Sequence, residues 1–278
     1  MRIAITGTSS GIGRFLALHL GSGGHTVCGL ARSLQTDMEI ACGAKGVEFM
    51  AFRCDVSNWN QILEAREKVG QNWGSLDALI CCSGVQAPIG PAMKVDPEAW
   101  SQNIRVNLDG TYFPIRAFYD LLQRAERRGK IVCFSGGGAT SPRANFSAYA
   151  AAKCALVRLV ETLSVELQGD KCDINAVAPG AIFTKMTEET LRIGPTVAGE
   201  KEYASALELK KKGDAPMQKV GALVEFLLSS ASDGISGRLI SAPWDAWSKL
   251  EQHKDALNES DIFTLRRIRP EDRGLKWE

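Results

Sequence analysis

Thr6-Gly7-Thr8-Ser9-Ser10-Gly11-Ile12-Gly13 is the stretch whose reading decides the fold. It follows the apolar run 2–5 and opens the amphipathic run 13–21. Glycines between a strand and a helix allow a tight turn and let backbone amides approach a pyrophosphate at the positive end of the helix. The turn therefore predicts a strand, a phosphate-binding loop and a helix at the start of a dinucleotide-binding unit. Gly7, Ser9, Ser10, Gly11, Ile12 and Gly13 are its candidate contacts.

Outward from this motif, short apolar runs alternate with amphipathic ones. Residues 2–5, 25–31, 47–53, 78–82, 130–134 and 173–178 read as buried strands. Residues 13–21, 59–71, 100–127, 147–168 and 220–229 read as helices. This alternation predicts an α/β fold, a single doubly wound Rossmann-type domain with a parallel sheet and helices on both faces. Its ligand crevice lies at the carboxyl ends of the strands. The boundaries expected are a catalytic domain over 1–244, with the polar segment 185–216 covering the substrate, and a charged extension over 245–278.

The 278 residues are 45% hydrophobic, enough for a substantial core. With 33 basic and 32 acidic residues the net charge is +1, which argues against broad attraction to nucleic acid or membrane. No apolar run is long enough for a membrane span, and the first strand leaves no room for a signal peptide, so a cytoplasmic protein is expected. The eight cysteines lack metal-ligand spacing, and no metal site is expected. Adjacent Cys81 and Cys82 should point to opposite sides of a strand.

The second strand ends in Ala31, Arg32 and Ser33, where a site selecting NAD commonly carries an acid for the ribose 2′-hydroxyl. A carboxylate there would repel a 2′-phosphate, and a guanidinium can bind one bidentately. NADP(H) is the expected cofactor. The bland alternative leaves Arg32 as a solvated loop charge. Asp55, with Val56 closing the third strand, either meets the adenine amino group or caps the following helix.

Taken together, the chain resembles the short-chain dehydrogenase/reductase family over about residues 1–240. The resemblance rests on Thr6-Gly7-x-x-x-Gly11-x-Gly13, Asp55-Val56, Asn107 in Val106-Asn107-Leu108, Tyr149-x-x-x-Lys153, and Pro179-Gly180 followed by Thr184. It implies hydride transfer between a nicotinamide and the carbon of a small carbonyl or alcohol. It further implies that Lys153 holds the nicotinamide ribose, that Asn107 helps connect a proton path to water, and that Gly84, Pro179, Gly180, Ile182 and Thr184 lie along the cofactor. Many members are dimers or tetramers, so a homodimer or homotetramer is expected.

The chemistry also follows from the residues. Tyr149 and Lys153, four apart, share a helix face. A phenol is a poor base at neutral pH, and an adjacent ammonium favours its phenolate. Such a tyrosine can give a proton to a developing alkoxide or take one from an alcohol.

Three departures from the family pattern stand out. The serine usual thirteen residues before the tyrosine is here Gly136, in Phe134-Ser135-Gly136-Gly137-Gly138. The expectation is that the triple glycine lets the chain slip by one and brings the Ser135 hydroxyl within reach of Tyr149 or a ligand, with Thr140 and Ser141 next in line. An Asn-Asn-Ala-Gly stretch reads Cys81-Cys82-Ser83-Gly84. Beyond the last strand, Trp244 and Trp247 either stack on substrate or pin the tail. The tail arginines and Lys210–Lys212 suggest a sugar-like or anionic substrate. A different class, a nucleotide-binding regulatory or scaffold protein on the same fold, is separated by NADPH oxidation over a carbonyl panel.

Overall fold

The computed structural model describes residues 1–211 and 215–276. Among the described residues seven parallel strands form one sheet, ordered β3-β2-β1-β4-β5-β6-β7. They are β1 (Arg2–Thr6), β2 (Thr26–Ala31), β3 (Phe49–Arg53), β4 (Ala78–Cys81), β5 (Gly129–Phe134), β6 (Cys172–Ala178) and β7 (Leu239–Ser241). The chain runs outward from β1 to β3, returns to the centre for β4, then runs outward the other way. The crevice between β1 and β4 is the switch point where such sheets bind ligands.

Helices α1 (Gly11–Ser22), α2 (Thr36–Gly43) and α10 (Ala215–Leu228) cover one face. Helices α3 (Trp59–Trp73), α5 (Gly110–Gln123) and α6 (Ser147–Glu166) cover the other. The alternation of strand side chains sorts the core: Ile3 and Ile5 pack on the first face, Ala4 between them on the second. Cys81 and Cys82 divide the same way, as their adjacency predicts. In α3 the buried residues Ile62, Ala65, Val69 and Trp73 repeat at helical spacing, and Asn58 caps the start by accepting from the Gln61 amide at 3.2 Å. Phe118 of α5 is fully buried, which stabilises the fold by roughly 1.5–3 kcal/mol.

The single helix expected over 100–127 is instead three pieces. Asp96 caps α4 (Pro97–Ile104), a π turn spans Arg105–Asp109, and α5 follows. The π turn carries Asn107 and turns it into the protein interior, where it is fully buried.

The polar segment after β6 forms α7 (Lys185–Ile193), α8 (Pro195–Ala198) and α9 (Glu200–Lys210). It has a small core of its own: Ile193 packs against Ile89, Phe146 and Ala198. Lys212 lies outside the described residues, and Lys211 pairs with Glu208. The tail folds back on the body through α11 (Lys254–Asn258). Buried Arg238 donates to the carbonyls of Leu257, Ser260 and Ile262, and Leu239 donates to Phe263 O at 2.8 Å. Trp247 pins it, packing near Phe226 and donating to Ala242 O at 3.2 Å, whereas Trp244 is exposed. The expectation that the tail arginines serve an anionic ligand is not met for Arg266, which is occupied by Asp261 and Asp272. Among the described residues no helix is long and apolar enough to cross a membrane, and no cluster of three or more potential ligands could hold a metal.

Candidate active site

The glycine turn is compressed against the ends of β1 and β4. Gly7 has φ +77°, and a Cβ on it would lie 3.0 Å from the Ser83 backbone. A Cβ on Gly13 would lie 2.5 Å from Gly7 O. Only glycine lets these segments meet. The Thr6 hydroxyl accepts from the Cys82 and Ser83 amides, each at 3.1 Å, and so stitches β1 to β4 without the amide side chains lost from that stretch. Ser10, at the N-cap of α1, makes no side-chain cap, so the first amides of the helix are left for an anion. Gln35, which sequence reasoning missed, fixes the neighbouring loop. It bonds Thr8 through its carbonyl and donates to Gly29 O and Phe52 O at 2.9 and 3.2 Å.

A cleft of about 570 Å³ opens from this turn. Of the sequence-predicted residues, the glycine turn, Arg32, Ser33, Asp55, Val56, Gly84 and Thr184 line it. Lys185 and Met186 join them unforeseen. Arg32 is exposed, and its carbonyl accepts from Arg53 Nε at 3.2 Å, which brings a second arginine to that end. Asp55 accepts from the Ser57 amide and hydroxyl at 2.9 and 2.7 Å, forming an Asx-type turn. Since Asn58 is the helix cap, the capping alternative for Asp55 falls away. The cradle fits a dinucleotide: close backbone approach, a free helix end and Arg32 in the lining.

Lys153 and Asn107 come together behind Gly84, with Tyr149 beside Lys153. Lys153 Nζ donates to Phe134 O at 2.9 Å and lies 5.6 Å from the Tyr149 ring centre. Asn107 accepts from the Val85 amide at 3.3 Å and donates to Val85 O at 2.8 Å and to Asn103 Oδ1 at 2.9 Å. A Cβ on Gly84 would lie 2.8 Å from Asn107 Oδ1 and 3.6 Å from Lys153 Nζ. Gly84 lines the cleft, and Asn107 and Lys153 lie directly behind it; neither they nor Tyr149 line the cleft themselves. Asn103, also missed, sits one helical turn before Asn107 and donates to the carbonyls of Val85, Gln86 and Ala87.

Burial pushes the Tyr149 phenol up, and the Arg143 guanidinium pulls it the other way. This corrects the expectation that Lys153 makes the phenolate favourable. Burial brings Lys153 itself down to about 8, against a smaller opposite effect of the Cys133, Cys82 and Cys81 thiols.

The triple glycine does not let the chain slip. Ser135 stays on the ladder, donating to Val177 O at 2.9 Å. Its hydroxyl is buried without a partner among the described residues, so the expected bond to Tyr149 is not formed. Gly136 faces the tyrosine instead: a Cβ there would lie 2.2 Å from the Tyr149 hydroxyl oxygen.

After β6, Gly180 has φ +76°, and a Cβ on it would lie 2.7 Å from Pro243 Cγ. Ile182 is turned toward the core, packing with the α1 and α10 side. Thr184 caps α7, and its methyl stands 3.6 Å from where Gly11 would carry a Cβ, closing the cleft across the glycine turn. Pro179 and Gly180 do not themselves line the cleft, being set back at the strand exit.

Residues 1–192 match the family model described as short chain dehydrogenase. The trihydroxynaphthalene reductase of Colletotrichum orbiculare is 28% identical over 245 residues, covering 85% of this chain and 86% of that protein. Among solved structures, levodione reductase superposes with a TM-score of 0.76 at 23% identity, over 86% of this chain and 95% of that one. NAD+-bound xylitol dehydrogenase does so with 0.74 at 21%, over 86% and 96%. At these identities the structural likeness speaks for the fold alone. The family match spans well over half the chain and coincides with the glycine turn and the tyrosine–lysine helix, and the protein belongs to the short-chain dehydrogenase/reductase family of oxidoreductases, which use a nicotinamide cofactor.

Proposed function

We propose that the protein is an NADP(H)-dependent carbonyl reductase or alcohol dehydrogenase acting on a small-molecule substrate. The supporting observation is that Lys153 and Asn107 meet at Gly84, with the Tyr149 ring centre 5.6 Å from Lys153 Nζ, and that Gly84 lines a cleft also lined by Arg32. The glycine turn would hold the pyrophosphate, Arg32 and Ser33 the 2′-phosphate, Asp55 and Val56 the adenine, and Lys153 the nicotinamide ribose. The residues from Pro179 to Thr184 would border the nicotinamide. When bound, the nicotinamide gives or accepts the hydride. Tyr149 gives the proton to the alkoxide in reduction and takes it in oxidation. Its raised pKa keeps the phenol protonated at neutral pH, which suits reduction. With the Ser135 amide held on the ladder by Val177, the Tyr149 hydroxyl would also be the donor to the developing oxyanion. The protein works in the cytoplasm as a homodimer or homotetramer. The exposed Tyr112 of α5 and Val165 of α6 support packing between copies on those helices.

The cofactor preference is tested by titrating NADPH and NADH by fluorescence. NADPH should bind more tightly, and Arg32→Ala should weaken NADPH by about ten- to a hundredfold, the worth of charge-assisted bonds, with NADH unchanged. Equal affinities in the wild type reject the assignment. A folded protein that binds NADPH but oxidises it with no carbonyl of a broad panel supports the nucleotide-binding scaffold instead.

Lys153 adds a pH dependence. Its ammonium is charged below about 8 and neutral above. Binding that needs the charged form is therefore intact at pH 7 and lost as pH rises. The NADPH Kd should increase by about tenfold from pH 7 to pH 9. In Lys153→Met the affinity should be weaker and flat over that range. A wild-type Kd that stays constant argues against Lys153 as the ribose contact.

A further inference from the structure

Arg143 lies in the loop between β5 and α6, outside every motif read from the sequence. Its guanidinium carbon sits 3.8 Å from the centre of the Phe146 ring, which is fully buried, and 5.8 Å from that of Tyr149. Nε and Nη2 both donate to Glu202 Oε2 of α9, at 3.1 and 2.7 Å. The stack and the ion pair together fix the plane of the guanidinium. A guanidinium has five N–H donors, and Glu202 takes two. The Nη1 group has no hydrogen-bond partner among the described residues, although only 18% of the side chain is exposed. It stands 3.8 Å from where Gly137 would carry a Cβ, and the preceding Gly136 abuts the Tyr149 hydroxyl.

We propose that Arg143 is a substrate-binding residue whose open Nη1/Nη2 edge takes a carboxylate next to the reacting carbonyl, so that 2-oxo acids and the matching 2-hydroxy acids form the preferred substrate class. As a statement about substrate, this rests on the carbonyl reductase reading above. Parallel N–H groups on one guanidinium edge match the two oxygens of a carboxylate, a pairing that a lone ammonium does not reproduce. The local charge agrees. Arg143 and Lys153 supply two cations and Glu202 one anion, so an added carboxylate neutralises the site instead of overcharging it. A structural latch between the loop and α9 would account for the Glu202 edge but not for the other, whose donors are open to solvent or a ligand.

The test is calorimetric titration of the full-length protein with phenylglyoxylate and with its neutral methyl ester, with and without saturating NADP+, which carries no hydride to reduce the ketone. The acid should bind at least about tenfold more tightly than the ester, which corresponds to one charge-assisted pair. Arg143→Gln should reduce that ratio to below about twofold, and Arg143→Lys should recover part of it. Glu202→Gln frees the guanidinium and should keep or increase the preference, whereas a mere latch would be broken as badly as by Arg143→Gln. Equal binding of acid and ester, no saturable binding of either, or loss of the preference in Glu202→Gln overturns the proposal. The titration without cofactor decides the Arg143 question even if NADP(H) proves to be the wrong cofactor.

Discussion

Tyr149→Phe is expected to lower turnover by about a thousandfold, within the range that a positioned general acid contributes. The change removes one oxygen. The ring stays buried at 7% exposure, and the hydroxyl has no hydrogen-bond partner among the described residues, so no buried acceptor is orphaned. The melting temperature should move by no more than a degree or two, because neither a cavity nor an unpaired group is created. Cofactor affinity should stay within about twofold, since the phenol acts on the alkoxide and not on the pyrophosphate or ribose. The loss should therefore fall on kcat, in NADPH oxidation followed under saturating cofactor. The wild-type pH profile carries the same signature. A phenol raised by burial holds its proton through neutral pH, so reduction should be flat from pH 6 to 8 and oxidation should climb with pH. A Phe variant with near-wild-type kcat would remove Tyr149 from the chemistry.

The parts of this site that the sequence reveals are those in which one local pattern carries one physical need. Gly7 and Gly13 are legible because a turn that tight admits no side chain, and Tyr149 and Lys153 because four residues on a helix put them on one face. The sheet centre is legible because strands buried on both faces read as unbroken apolar runs, as in Ala78–Cys81. What stays hidden depends on tertiary placement. The π turn at Arg105–Asp109 has no composition of its own; it exists because Asn107 is held by Val85 and Asn103. Gln35 reads as one more polar loop residue until the strands that it bridges are in place. Helices α8 and α9 escape notice because only a few of their side chains, such as Ala198, Ala206 and Leu209, are buried, too few to write a periodic stripe. Arg143 finds Glu202 across 59 residues of sequence. Ser135 is the instructive error. A slip of one residue looked open to a triple glycine, but the Val177 carbonyl holds the Ser135 amide in register, and backbone hydrogen bonds of a buried ladder are not given up to reposition one hydroxyl.

Restoring the family's serine by Gly136→Ser should lower turnover by about a hundredfold instead of raising it. A Cβ at that position would lie 2.2 Å from the Tyr149 hydroxyl oxygen, 2.9 Å from Cζ and 3.1 Å from Cε1, so the whole outer edge of the ring is in the way. The chain has placed the phenol where the serine side chain would stand. Making room would move the ring relative to the Arg143 guanidinium, 5.8 Å from its centre, and the Lys153 ammonium, 5.6 Å from it. A displacement of about 1 Å at the proton donor is enough for a hundredfold loss. Gly136→Ala should do the same, which separates crowding from hydroxyl chemistry. Ser135→Ala is the companion measurement. If the unpaired Ser135 hydroxyl turns to the oxyanion, its removal should also cost about a hundredfold in kcat with cofactor affinity unchanged. Full activity in Ser135→Ala would leave stabilisation of the oxyanion to Tyr149 and the substrate's own groups. A Gly136→Ser enzyme as fast as wild type would show that Tyr149 moves freely and that its observed position is not the reactive one.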